Sequence, residues 1–311
     1  MRASMAALTI DAAGLRKDFG ARTAVRDLTL QVERGEAFGF LGPNGAGKST
    51  SIKMLLGLVK PTSGRALLLG QPVGSRDVRA RIGFLPEHFR FYDWLTAPEL
   101  LMLHGRLCGM ADSVVRQRIP KLLERIGLAA QNTKPIRSYS KGMMQRVGLA
   151  QAMINEPDIL FLDEPASGLD PAGRKLVREI VREQRDRGAT VFLNSHLLGE
   201  VEQSCDRVAF IRNGEVVGKY EMGGWQTERT VAEVDAAGVS TAVLTRLTLV
   251  EGLTIEWHAG RKFRMRLPNE DSLPEVVRIL VESGASVYSV VPQRVTLEDL
   301  FLEMMGPDAG L

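Results

Sequence analysis

The chain has 311 residues, 44% of them hydrophobic and 25% charged, with a formal net charge of +3. That length and balance suit one full-sized folded domain with a smaller companion, and they exclude wholesale disorder. The small basic excess gives no argument for a direct nucleic-acid partner, and no apolar run reaches the roughly 20 residues that cross a bilayer.

The two cysteines, Cys108 and Cys205, are widely separated, which fits free thiols in a reducing compartment better than a disulfide or a zinc site. The N-terminus lacks the long apolar core of a signal peptide. The chain is therefore expected to have no transmembrane segment of its own, and any membrane role must come through a partner.

In chain order, Leu8–Asp11 and the alternating stretch Ala24–Val32 read as strands. Glu36–Leu41 is a short apolar strand, broken by Gly42–Gly47 and followed by helical periodicity over Lys48–Val59. A turn at Pro61–Gly64 precedes a strand at Ala66–Leu69. From Phe89 to Met153 the pattern is mostly helical. Ile159–Leu162 and Thr190–Asn194 are continuous apolar runs of strand length, as in parallel strands buried on both faces. Gly168, Pro171 and Gly173 read as turn residues before a helix at Lys175–Arg187.

Arg207–Ile211 and Glu215–Lys219 flank Asn213-Gly214, the pair that suits a type I′ hairpin turn. Gly223-Gly224 reads as a linker. Beyond it the order is strand Thr230–Val234, helix Thr241–Leu247, strands Leu253–Trp257 and Phe263–Leu267, helix Leu273–Val281 and strand Ser286–Val291. This βαββαβ order predicts a small ferredoxin-like layer. A last helix opens at Thr296–Asp299, a capping-box variant, with Leu297, Leu300, Phe301 and Met304 along one face.

Two motifs carry chemistry. Gly42-Pro43-Asn44-Gly45-Ala46-Gly47-Lys48-Ser49-Thr50 satisfies G-x-x-x-x-G-K-[ST] between a strand and a helix. Glycines there let backbone N–H groups converge on phosphate oxygens, with a helix N-terminus behind them. Lys48 supplies a point charge, and the Ser49 hydroxyl can ligate Mg²⁺. The bland alternative is an ordinary strand-to-helix turn, which the correctly placed strand and helix disfavour. The second motif, Ile159-Leu160-Phe161-Leu162-Asp163-Glu164-Pro165, ends a buried strand in two carboxylates. Chemistry in open α/β sheets collects at such strand ends. Asp163 would reach the metal, and Glu164 is placed to polarise an attacking water as general base.

With these in place, the sequence resembles the ATPase subunit of an ATP-binding cassette (ABC) transporter. Tyr139-Ser140-Lys141-Gly142-Met143-Met144-Gln145-Arg146 is similar to the family signature, Ser167-Gly168-Leu169-Asp170 to the loop after the catalytic glutamate, and Asn194-Ser195-His196 to the switch histidine. The resemblance covers about residues 7–220. It implies a P-loop NTPase core with a helical subdomain at about 88–153, all within residues 1–224, and a small α+β accessory domain at 225–311.

The resemblance further implies ATP and Mg²⁺ as cofactors, with Ser140 and Gly142 facing the γ-phosphate held by a second copy. Dimerisation follows, because one chain carries both halves of a split site and a C₂ homodimer closes it. His196 would hold the water and Glu164 in place. His88, His104 and His258 have no such context. Phe19 occupies the adenine-stacking position, Val25 the same face, and Asp170 the loop beside the nucleotide.

Two departures stand out. Glu87 replaces the family's usual metal-sensing Gln, which implies slower or more metal-sensitive turnover. In the signature, Lys141 and Met143 replace Gly and Gln. These variants, with the segment Val295–Phe301, resemble exporter ATPases paired with a separately encoded integral-membrane permease. The implied location is cytoplasmic, on the inner face of the cell membrane through that permease, with Phe91-Tyr92-Asp93-Trp94-Leu95 as its docking surface. Packing of the helical lobe is the competing role for these aromatics.

Two rival functions are a soluble ABC ATPase acting on nucleic acid and a silent ATP-binding scaffold. The absence of coiled coils or zinc motifs opposes the first. Intact Lys48, Asp163, Glu164 and His196 oppose the second. The cargo, and the role of residues 225–311, are left open by the sequence.

Overall fold

The computed structural model describes residues 7–88, 90–222, 230–294 and 296–306. The chain divides into two compact units, Met1–Lys219 with Phe301–Leu311, and Tyr220–Leu300. The expected linker at Gly223-Gly224 lies outside the described residues.

The first unit is built on a ten-stranded sheet. Strands β1 (Leu8–Phe19) and β2 (Arg22–Glu33) form a long antiparallel hairpin, extended by β4 (Ser63–Leu68) and the short β5 (Gln71–Pro72). The parallel part contains β3 (Ala37–Leu41), β6 (Ile82–Leu85), β7 (Ile159–Asp163), β8 (Thr190–Asn194) and β9 (Arg207–Arg212), with β10 (Glu215–Glu221) joining it to β2. The full order is β5-β4-β1-β2-β10-β9-β3-β8-β7-β6. Every residue of β3, β7 and β8 is buried, as the unbroken apolar runs required.

Helices α1 (Lys48–Leu55), α2 (Arg76–Arg79), α6 (Pro171–Asp186) and α7 (Leu198–Ser204) belong to this layer. Phe192 on β8 meets Phe38 and Phe40 of β3 and Phe161 of β7, with ring centroids 5.4–5.6 Å apart. The helical lobe consists of α3 (Ala97–Leu107), α4 (Asp112–Arg125) and α5 (Lys141–Met153) around its own core. Tyr139, where the family has Leu, is buried in that core, and its hydroxyl donates to the Gln131 carbonyl at 2.7 Å.

Several boundaries differ from the sequence reading. The first strand runs on to Phe19, and α1 stops at Leu55 rather than Val59. Helix α6 begins at Pro171, four residues early, because proline at the first helical position needs no N–H partner and Asp170 accepts from the Gly173 N–H at 2.8 Å. Asn213 and Gly214 both take positive φ, 52° and 80°, as a type I′ turn demands.

The second unit contains β11 (Thr230–Ala237), α8 (Thr241–Leu247), β12 (Thr254–Ala259), β13 (Lys262–Leu267), α9 (Leu273–Glu282) and β14 (Ser286–Arg294). Its sheet is antiparallel in the order β12-β13-β11-β14. Alternation puts Ala232, Val234, Phe263 and Met265 into one core with Val243, Leu247, Val276 and Leu280 of the helices. The last helix, α10 (Leu297–Met305), starts at Thr296, whose N–H and hydroxyl donate to Asp299.

Candidate active site

The loop between β3 and α1 is shaped by its glycines. A side chain on Gly42 would meet the Ile211 carbonyl at 2.2 Å. Gly47 sits at φ 106°, with the Ala24 carbonyl 2.6 Å from where a Cβ would be. Neither position can carry a side chain, and the loop lies flat on β2 and β9 as a result. It forms one wall of a cleft of about 470 Å³, lined also by Arg22, Ala24, Glu87, Glu164, Ser167, Asn194, Ser195, His196 and Phe301.

Lys48 is buried, and its Nζ donates to the carbonyls of Gly42 at 2.6 Å and Pro43 at 3.1 Å. Burial pulls its pKa down, while Glu164, Asp163 and Glu87 oppose that by their charge. Asp163 ends β7 directly beside Asn194 at the end of β8, and the Asn194 amide donates to its carboxylate. Glu164 follows at φ 54°, a conformation few non-glycine residues hold. Its N–H is fixed on the Asn194 carbonyl at 2.8 Å, and its Oε2 lies 2.7 Å from His196 Nδ1. Desolvation pushes both carboxyls above their ordinary range. A base of raised pKa, beside a cation and aimed into a cleft, is what proton abstraction from water asks for.

Among the described residues, no group of three or more His, Cys, Asp or Glu side chains gathers as a metal nest. Mg²⁺ needs none here, since it ordinarily takes one or two carboxylates and leaves the remaining positions to phosphates and water. Ser49 and Glu87 on the cleft wall, with Asp163 at the adjacent strand end, are a donor set of that kind.

The remaining expected residues are placed elsewhere. Phe19 is half-exposed at the end of β1, with Lys17 Nζ 4.8 Å from its ring centroid. Val25 is fully buried in the core, so it presents no face to the cleft. Ala46 is buried beneath its loop, and its carbonyl accepts from the Gly214 N–H at 2.9 Å.

Ser140, Gly142 and Asp170 are not among the residues lining the cleft. Ser140 is exposed and caps α5, its Oγ accepting from the Met143 N–H at 3.3 Å. The Gly142 N–H is one of the first-turn donors of α5, which have no carbonyl partner within the helix. Tyr92 and Trp94 are well exposed, with ring centroids 5.3 Å apart, while Phe91 and Leu95 pack on the helical lobe.

Sequence reasoning gave no role to Asn194 or Gln145. Local spacing carries no sign of the pairing of Asn194 with Asp163, which depends on the register of β7 and β8. Gln145 had no such local sign, because its partners are backbone carbonyls 19 and 20 residues away.

A family model described as "ABC transporter" matches residues 25–167. Over 196 residues the chain is 51% identical to an uncharacterised ABC transporter ATP-binding protein of Nostoc sp., covering 62% of this chain and 58% of that protein's length. It is also 36% identical to the daunorubicin resistance ATP-binding protein DrrA3 of Streptomyces coeruleorubidus, over 97% of this chain and 96% of that one. Among solved structures, an ATP-binding subunit of an ABC transporter aligns with a TM-score of 0.65 and 32% identity, covering 69% of this chain and 90% of that one.

Proposed function

Because the chain belongs to the ABC transporter family as an ATP-binding ATPase subunit, we propose that it works as a homodimer closed around two Mg-ATP and drives a separate integral-membrane permease of an exporter. The division expected at residues 1–224 and 225–311 is shifted in this reading: Met1–Lys219 with Phe301–Leu311 form the ATPase domain, and Tyr220–Leu300 a ferredoxin-like accessory domain. The observation that carries it is the division of phosphate-directed groups. Lys48, Glu164 and His196 share one cleft, while Ser140 and Gly142 lie outside it. A second copy related by a two-fold axis brings the signature of one chain to the phosphate loop of the other, twice.

Within the cleft, the N–H groups of the loop Gly42–Thr50 other than Pro43, which has none, and Lys48 hold the β- and γ-phosphates. Phe19 stacks on the adenine, and Asp170 fixes the loop that borders the nucleotide. Ser49, Asp163 and Glu87 would hold Mg²⁺, which supplies charge neutralisation on the phosphate oxygens. Glu164 takes the proton of the attacking water, and His196 holds Glu164 in line through their hydrogen bond.

Among the described residues no helix is long and apolar enough to cross a membrane, so attachment to the cytoplasmic face of a membrane falls to the permease. The exposed Tyr92–Trp94 pair is its docking surface. Nucleic acid has no part in the cycle. The full-length drug-resistance relative favours export over import.

Phosphate release by wild type and Glu164→Gln tests the catalytic reading. Loss of general-base assistance lowers kcat by about 10²–10⁴, and equal rates would discard it.

A further inference from the structure

On the side facing helix α5, the segment 164–170 makes a second set of contacts, apart from those of Glu164 with Asn194 and His196. Gln145 on that helix is buried, 3% exposed, and its Nε2 donates to two consecutive carbonyls, Glu164 at 3.3 Å and Pro165 at 3.0 Å. Further along, the Lys141 side chain lies 3.1–3.4 Å from the space a Cβ on Gly168 would take, and Leu169 packs over Gly142. The Arg146 guanidinium is 3.8 Å from Asp170.

We propose that Gln145 is the positioning residue for Glu164, fixing the general base by gripping the backbone on either side of the Glu164–Pro165 peptide bond. The inference rests on Glu164 being that base. Two consecutive carbonyl acceptors on one amide group fix the orientation of both peptide planes that meet at Pro165, the first of them joined to Glu164. Glu164 has positive φ, so its side-chain direction is sensitive to that orientation. The Asn194 carbonyl fixes its N–H and His196 its carboxylate, and Gln145 supplies the third restraint. A buried amide donor is costly unless bonded, so the grip is held continuously. Ser140 and Gly142 begin the same helix. The element that grips the backbone at Glu164 is thus the one that begins at Ser140 and Gly142.

The test measures steady-state ATP hydrolysis by the full chain with Gln145→Met, Gln145→Glu and Glu164→Gln, across pH. Gln145→Met keeps the side-chain volume and removes the donor. It is expected to lower kcat about ten-fold or more while the KM for ATP stays within about two-fold. Gln145→Glu recovers relative to wild type as pH falls and its carboxyl gains a proton to donate.

If Glu164→Gln turns over like wild type, the general-base reading fails and this inference with it. If Glu164→Gln is inactive while Gln145→Met keeps its kcat, only the Gln145 assignment falls. A kcat loss for Gln145→Met with no acid recovery for Gln145→Glu marks general destabilisation, and it also overturns the assignment.

Discussion

The two phosphate-directed corners of the ATPase unit are built on opposite terms. At the cleft, Lys48, Asp163 and Glu164 are each 8% exposed or less, and each is shifted from its ordinary pKa mainly by loss of water. Their mutual charge and a shell of hydrogen bonds from Asn194, His196 and the loop carbonyls make that burial tolerable. At the signature, Ser140 and Lys141 are exposed, and the phosphate-facing groups are neutral donors at the start of a helix. Such donors are well served by water and cost little to leave open. The first corner is therefore preorganised within one chain, and the second is left open, as the proposed contact with a second copy requires.

The largest effects test whether the second corner belongs to the other chain's nucleotide. Lys48→Ala removes the phosphate charge and Ser140→Ala the donor across from it. Each variant alone is expected to lose turnover by about 10²-fold or more. Mixed in equal amounts, half of the dimers are hybrids, and each hybrid retains one site with both residues intact. Activity should return to roughly a quarter of wild type. A mixture as inactive as its parts would show that both groups serve one site within the same chain.

The burial contrast also predicts a narrow pH window. Glu164 must be ionised, and desolvation raises its pKa above the ordinary 4.5, so kcat/KM falls on the acid side before an exposed glutamate would protonate. Lys48 must be charged, and desolvation lowers its pKa below the ordinary 10.5, so the alkaline limb moves inward too. Limbs lying at the two ordinary values would mean that the corner is wet.

A smaller effect belongs to Phe19. Its ring is 51% exposed and carries Lys17 on one side. Loss of adenine stacking in Phe19→Ala should cost about 1–3 kcal/mol of nucleotide binding. A higher KM for ATP with unchanged kcat is the expected pattern, and a fall in kcat alone would remove Phe19 from the binding surface.

How much of this could be read from the sequence follows from locality. The phosphate loop is nine consecutive residues between a strand and a helix, so its glycines, Lys48 and Ser49 were legible at once. The carboxylates ending β7 were legible for the same reason. Pro171 and Gly173 read locally as turn residues, whereas the Asp170 cap makes them the first turn of helix α6, four residues ahead of Lys175. Asn194 beside Asp163 depends on the register of two strands 31 residues apart, and Gln145 on helix packing against backbone carbonyls. Neither leaves a mark in local spacing. Val25 was expected to face the nucleotide, yet it is buried in the core: of the hairpin positions opposite the loop, Ala24 and Arg22 reach the cleft.

Glu87 gives the finest test, since it lies on the cleft wall but on the wet side of the contrast. Its side chain is 47% exposed beside His88, with Nδ1 3.6 Å from a carboxylate oxygen. Its charge nonetheless reaches inward, helping to raise the Asp163 pKa and adding to the field that opposes the fall at Lys48. A third carboxylate near a divalent cation strengthens metal attraction, and it leaves more negative charge to be neutralised around the phosphates. Glu87→Gln is therefore expected to raise the Mg²⁺ concentration for half-maximal hydrolysis, by about two- to ten-fold. At saturating Mg²⁺, kcat should rise modestly, because the repulsion at Asp163 is relieved. Superimposable Mg²⁺ curves for the two proteins would mean that solvent screens Glu87 fully, confining the electrostatics of the corner to its buried residues.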